Sequence, residues 1–177
     1  MSDDKKEPWL NYLALTTIIF AVCATLSTFK GGGFSTKSVL NQEQASNKWS
    51  YFQNKSLKLY LHEIGKDELE LELNRIPAND KANIEAYTNK IQKYTEQIKR
   101  YDLEKEDIKK EAEKLEMQRD ETQKHSKTFG EAVIFLQISI LLSSIAALVK
   151  KKYIWYLAMA VGSVGLFFFL DGFFLIL

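Results

Sequence analysis

GGGFSTKS, residues 31–38, sets glycines ahead of Lys37 and Ser38, the residue types with which a loop cradles nucleotide phosphates. The full motif needs a glycine directly before the lysine and a β-strand before the loop. Thr36 stands where that glycine belongs and a long apolar run precedes the segment, so 30–37 is expected to be a flexible or tightly turned elbow and not a nucleotide site. His62 and Glu63 lack the second His four residues on that a zinc-binding helix would need, and His125 stands alone among lysines. Nucleophile, base and orienting group nowhere combine into a catalytic set, so no enzymatic activity, metal or cofactor is expected. Glu131 and Asp171 differ from these, because each lies in an apolar run where a carboxylate is costly. Such acids are candidates for moving protons or ions. The alternative is that both sit at a membrane interface, where headgroups and water solvate them.

The elements that carry these acids follow from hydropathy. Residues 9–29 (WLNYLALTTIIFAVCATLSTF), 129–149 (FGEAVIFLQISILLSSIAALV) and 153–177 (YIWYLAMAVGSVGLFFFLDGFFLIL) each approach or exceed the ~20 apolar residues that cross a hydrocarbon core. The first follows a short tail, 1–8, and has no clean small-residue cleavage site, since Phe29 and Lys30 follow Ser27 and Thr28; it is expected to be a retained anchor. Only the lysine turn 150–152 separates the second and third, which predicts a tight hairpin of membrane helices. Positive charge in short loops stays cytoplasmic, so this turn and the N-terminal Lys5 and Lys6 are expected inside, and residues 38–128 outside in the periplasm. Small residues at helix-packing spacing, Thr17, Ala21 and Thr25, then Ser139, Ser143 and Ala147, then Ala158 and Gly162, predict a compact three-helix bundle or contacts between protomers.

Between the first two spans lies a charged stretch with a legible period. Ile84, Tyr87, Ile91, Tyr94, Ile98, Tyr101, Ile108, Ala112 and Leu115 recur in steps of three, four and seven, a heptad with Ile at one seam position and Tyr at the other. Continued, the count meets Phe129, Val133, Leu136, Ile140, Ser143 and Ala147. One helix on the order of 100 Å long is therefore expected to run into the second span, with Gly130 as a candidate kink. Upstream, Ala45, Trp49, Phe52, Ser56 and Leu59 form a second stripe that Leu57, Leu61 and Ile64 would widen, while Gly65 is a candidate helix breaker. NRIPAND, 74–80, suits a turn, with Asp80 capping the following helix. An antiparallel pair whose residue numbers add to about 155 would set Trp49 against the turn from Lys105 to Ile108, with Ala112 nearby. The aromatics read as packing, and Tyr51, Tyr60 and Leu69 fall off the main stripe.

Charge narrows the partners. The segment 38–128 holds seventeen Lys and Arg against eighteen acids, so nothing in it recommends a nucleic acid. The single Cys23 cannot form a disulfide within one chain.

Residues 21–63 carry ATLS at the end of the first span, the small-residue segment, and QASNKWSYFQNKS. This run resembles small bacterial membrane proteins of the domain of unknown function 4337 family. The resemblance implies a bacterial inner-membrane protein with Gln44, Ala45, Ser46, Trp49, Gln53, Lys55 and Ser56 as signature positions, and implies no activity. The expected fold is an all-α membrane protein: three transmembrane helices with a long antiparallel coiled-coil hairpin between the first and second. The expected function is a non-enzymatic assembly or scaffold protein, held in the lipid bilayer, whose hairpin mediates homo-oligomerisation or docks a protein partner, with Trp49, Phe52, Ile84, Tyr87, Ile91, Tyr94, Ile98 and Tyr101 as its hairpin-packing or oligomer-contact residues. The alternative is an ion-conducting or transport-accessory protein using Glu131 and Asp171.

Overall fold

The computed structural model describes residues 8–175, which form three helices and no strand: α1 (Pro8–Leu73), α2 (Lys81–Val149) and α3 (Lys152–Phe174). The N-terminal lysines and the last two residues of the expected third span lie outside the described residues. Each of α1, α2 and α3 contains a stretch long and apolar enough to cross a membrane.

Two expected breaks in α1 are absent. The segment 30–37 is helical throughout, and so is Gly65. No described glycine adopts a left-handed backbone. A helical glycine costs only ~1 kcal/mol, which tertiary contacts can offset. At Gly31 the missing side chain is used, since an added Cβ would lie 3.0 Å from the Cβ of Phe129. One on Gly65 would meet the Tyr94 ring at 3.6 Å, an ordinary contact, and ones on Gly32 and Gly33 would meet nothing within 4 Å, so these glycines are plain members of a continuous helix. α2 likewise passes through Gly130 without interruption.

The connections follow local chemistry. After Leu73 the chain turns through Arg75 N–H to Glu72 and Ile76 N–H to Leu73. Asp80 then caps α2, accepting the Asn83 backbone N–H at 3.3 Å and the Asn83 side-chain amide at 2.7 Å. At the lysine turn, Lys150 takes a left-handed backbone (φ 55°) and the Lys151 N–H reaches back to the Ala146 carbonyl at 3.3 Å, a Schellman closure made with lysine where glycine is usual.

The chain divides into two compact units, one of Met1–Leu40 with Gln118–Leu177 and the other of Asn41–Met117. In the first, all three helices meet through small residues. Ser139 Oγ donates to the Ala158 carbonyl at 2.7 Å, and Gly162 lies so close to Phe20 that an added Cβ would stand 2.3 Å from its ring. Gly165 abuts Leu136 and Gly172 abuts Phe129 in the same way. At the other end Trp9, Leu13 and Ala146 pack with Trp155, whose indole N–H donates to Thr16 Oγ1 at 3.3 Å. The first-span contact row is therefore Leu13, Phe20, Ala24 and Ser27, whereas Ala21 and Thr25 of the expected row point outward. Thr25 spends its hydroxyl on the Ala21 carbonyl of its own helix, which leaves it without a role between helices. In α2 the fully buried residue is Ala146 and not Ala147, while Ser139, Ser143, Ala158 and Gly162 are buried as expected.

In the second unit, the heptad appears as burial. Ile84, Tyr87, Ile91, Tyr94, Ile98 and Tyr101 are half-buried, and Ile108 and Ala112 are buried. Lys48 contacts Glu111, Lys55 contacts Glu104 and Glu72 contacts Tyr87, so partners descend α2 as they ascend α1. In each pair the two numbers add to the same total, a few residues above the expected register. Trp49 consequently reaches Glu116 instead of the turn from Lys105 to Ile108. Helical side chains lean toward their own N-terminus, and in such a pair that lean carries the indole further along α2.

Candidate functional site: the charged and aromatic seam

The seam residues come together as a ladder of polar groups over aromatic rings. At its first rung the Trp49 indole N–H donates to Glu116 Oε1 at 2.9 Å while its ring meets Phe52 edge-on at 5.5 Å. Lys105 stands 5.3 Å over the Phe52 ring, which explains how a lysine is tolerated at a seam position. The next rung is Lys55, whose ammonium is paired with Glu104 and held over the rings of Tyr101 (5.1 Å) and Tyr51 (5.4 Å). His62 follows, donating from Nδ1 to the Lys58 carbonyl at 2.7 Å and lying edge-on between Tyr94 and Tyr101. Tyr94 covers Gly65, and the Tyr87 hydroxyl closes the ladder by donating to Glu72 at 2.7 Å.

Electrostatics fix the protonation of these groups. The hydrogen bond from Lys55 holds the Glu104 carboxyl below its usual value, and the same bond raises the Lys55 ammonium above its own. The Glu72 carboxylate raises the Tyr87 phenol by accepting its proton in a hydrogen bond. The lowered Glu104 contributes stability that is present above its unfolded pKa and lost as pH falls through its folded one. The raised Lys55 contributes stability that is present below its unfolded pKa and lost as pH rises through its folded one. Replacing Lys55 by Met is therefore expected to lower the melting temperature at neutral pH, with the gap to wild type closing in acid below the usual carboxylate range. Helix melting followed by circular dichroism in both conditions checks this; a gap independent of pH would assign the loss to the lysine stem alone.

The candidate acids are placed differently from each other. Glu131 is half-buried near the start of the apolar part of α2, while Asp171 is only 4% exposed, on the last turn of α3. Asp171 is thus enclosed by protein at the C-terminal end of α3. Next to it, Gly172 lets the Phe129 ring close against α3. Beside it, His125 donates from Nδ1 to the Gly172 carbonyl at 2.8 Å and stacks on Phe34 at 4.5 Å, and Ser126 donates to the Gly31 carbonyl at 3.0 Å. Sequence reasoning missed this junction. The heptad places Phe129 on the packing face, and His125, one helical turn before it, is the signal. Among the described residues no group of three or more His, Cys, Asp and Glu side chains gathers as a metal site would require.

The signature positions divide by role. Ala45 is buried, Trp49 and Lys55 make the two seam bonds described above, and Ser56 donates to the Phe52 carbonyl, whereas Gln44, Ser46 and Gln53 face outward. Leu57, Leu61 and Ile64, expected to widen the packing face, are instead more than half exposed, as is Tyr60. They lie on a side of α1 that α2 does not reach.

No curated protein and no solved structure matches this chain. The family described as domain of unknown function (DUF4337) matches residues 9–175, nearly the whole of it, and the chain belongs to that family.

Proposed function

We propose that this is a non-enzymatic, multi-pass membrane assembly protein, anchored by the apolar stretches of its three helices, whose charged helix pair forms a coiled-coil hairpin for self-association or partner docking. The observation that carries this reading is the exposed apolar stripe of α1, Leu57, Tyr60, Leu61, Ile64 and Leu71, beside a seam that is already filled from within the chain. A solvent-facing stripe of that size on a narrow helix pair is a contact surface. The internal use of Tyr87 and Tyr94 is equally informative. Because they bond Glu72 and cover Gly65, they hold the pair together from within, and the outer stripe of α1 is a contact surface left over for assembly.

Light scattering of the protein extracted in several mild detergents tests the reading. An oligomer is expected, and a monomer in all of them would overturn it. For location we propose the bacterial inner membrane, with the lysine turn cytoplasmic and residues 38–128 periplasmic, on the charge pattern of the short loops. With Cys23 replaced by Ala, Asn79→Cys should react with an impermeant maleimide in spheroplasts and Lys151→Cys should not; the reverse pattern inverts the topology.

A second reading, ion conduction or transport support, is favoured by one observation: a carboxylate in the apolar part of α3 that is almost fully enclosed, Asp171. Proton and cation flux into liposomes, compared between wild type and Asp171→Asn, decides it. Equal flux in both, at the level of empty liposomes, removes this reading.

A further inference from the structure

The outer stripe of α1 has a counterpart on α2. Lys90, Lys93, Gln97 and Arg100 rim a groove of about 480 Å³ floored by the Tyr94 and Tyr101 rings, with His62 of α1 at its inner wall. Arg100 is shared with Glu104 at 3.5 Å, but among the described residues neither Lys90 nor Lys93 has an acidic partner. The α1 stripe carries the opposite sign. At 100° per residue Leu57, Leu61, Ile64 and Leu71 fall within about 80° of the helix circumference, with Glu68 inside that arc and Asp67 about 40° to one side of it. Asp67 and Glu68 are exposed and form no ion pair among the described residues.

We infer that the groove is filled by the α1 stripe of a second copy of this chain, in a head-to-tail contact. This inference rests on the assembly reading and names its partner and geometry.

Three observations converge on it. One chain cannot fill its own groove, because Phe52 and Leu59, which face the seam, lie roughly 140° around α1 from the outer stripe. Copies anchored in one bilayer point the same way. The register set by Lys55 with Glu104 and Glu72 with Tyr87 brings Asp67 and Glu68 level with Lys90 and Lys93, so side-by-side copies meet acid to base without sliding. A symmetric α1 to α1 contact between such copies would instead set Glu68 against Glu68 in the middle of an apolar seam, which like charge opposes. Leucine and isoleucine seated over tyrosine rings, framed by paired charges, make an apolar centre with a polar rim. Because donor and acceptor faces differ, each copy offers both, and the contact repeats from copy to copy until it closes.

Charge exchange tests the contact. Two full-length variants are made: Lys90→Glu with Lys93→Glu, and Asp67→Lys with Glu68→Lys. Each alone should shift the detergent-extracted protein toward monomer while keeping wild-type helix content. Combining all four changes in one chain should restore the wild-type size, and co-expressing the two variants should restore association between unlike chains. Wild-type size in both separate variants, or failure of the chain with all four changes to regain it, would overturn the contact while leaving self-association itself standing. Disulfide trapping is a second measure on a Cys23→Ala background. Co-expressed Ile64→Cys and Lys93→Cys chains should give the mixed dimer, and predominance of the Ile64→Cys homodimer would show a symmetric contact and overturn this one.

Discussion

Gly162→Ala is expected to lower the stability of the detergent-purified protein by about 1–3 kcal/mol, the usual cost of forcing one extra carbon into a closed interior. The added Cβ would stand 2.3 Å from Phe20 Cζ and 2.7 Å from Ser139 Oγ. Phe20 is almost fully buried against Ala24 and Leu136 and cannot swing clear, and the Ser139 hydroxyl is committed to the Ala158 carbonyl. α3 would have to retreat from α1 and α2 together. Phe20→Leu, which shortens the ring side of the same contact, should recover part of the loss in the double variant, because residues in contact are coupled. Gly130→Ala is the control: no atom lies within 4 Å of its added Cβ, and a better helix former at that position should be neutral or stabilising. Thermal unfolding of the four proteins side by side checks the series. Equal behaviour of Gly162→Ala and Gly130→Ala would mean that α3 does not close on Phe20.

Much of this arrangement could be read from residue order. Period alone marked the packing face of α2, because a heptad places Ile84 to Ala112 on one side whatever the partner is. Asp80 was legible as a cap because an acid after a Pro-containing turn has few other local uses. The misreadings have one physical source. Gly31, Gly65 and the row Thr17, Ala21, Thr25 were judged by intrinsic preference, as breakers or as small packing residues. Their roles depend on what stands opposite, and local sequence does not encode that. Phe129 faces Gly31 too closely for a side chain there, so a residue that weakens an isolated helix serves a packed one, while Gly65 lies at ordinary contact distance from Tyr94 and is tolerated by the helix around it. Leu57, Leu61 and Ile64 illustrate the converse. Hydropathy identifies them as apolar but cannot tell a face that α2 covers from one that stays exposed. The seam chemistry was half visible: Tyr and Ile positions follow from the period, while Lys55 over Tyr101 and His62 between two tyrosines follow only from register.

Phe129→Ala is expected to cost about 3–5 kcal/mol, the range for removing a large buried ring. Phe129 is fully buried where the charged part of α2 gives way to the apolar part, and it touches both other helices. On α1 it meets Gly31 and lies 6.0 Å from the Phe34 ring; on α3 it meets Gly172 and sits edge-on to Phe173 at 5.0 Å and Phe169 at 6.4 Å. In the proposed lipid setting, transfer from water supplies little of the driving force between helices, so the loss is one of van der Waals contacts around a cavity that three helices cannot easily close. Phe29→Ala separates this account from a general dependence on hydrophobicity. Phe29 has the same side chain and is 77% exposed, so removing its ring should change the melting temperature far less. If packing around Phe129 is also what seats His125 against Gly172, the Phe129→Ala protein should lose protection of the Gly172 region in proteolysis, while Trp9 and Trp155 at the opposite end keep their fluorescence. Equal destabilisation by the two phenylalanine variants would count against a specific three-helix junction and leave only a requirement for apolar character.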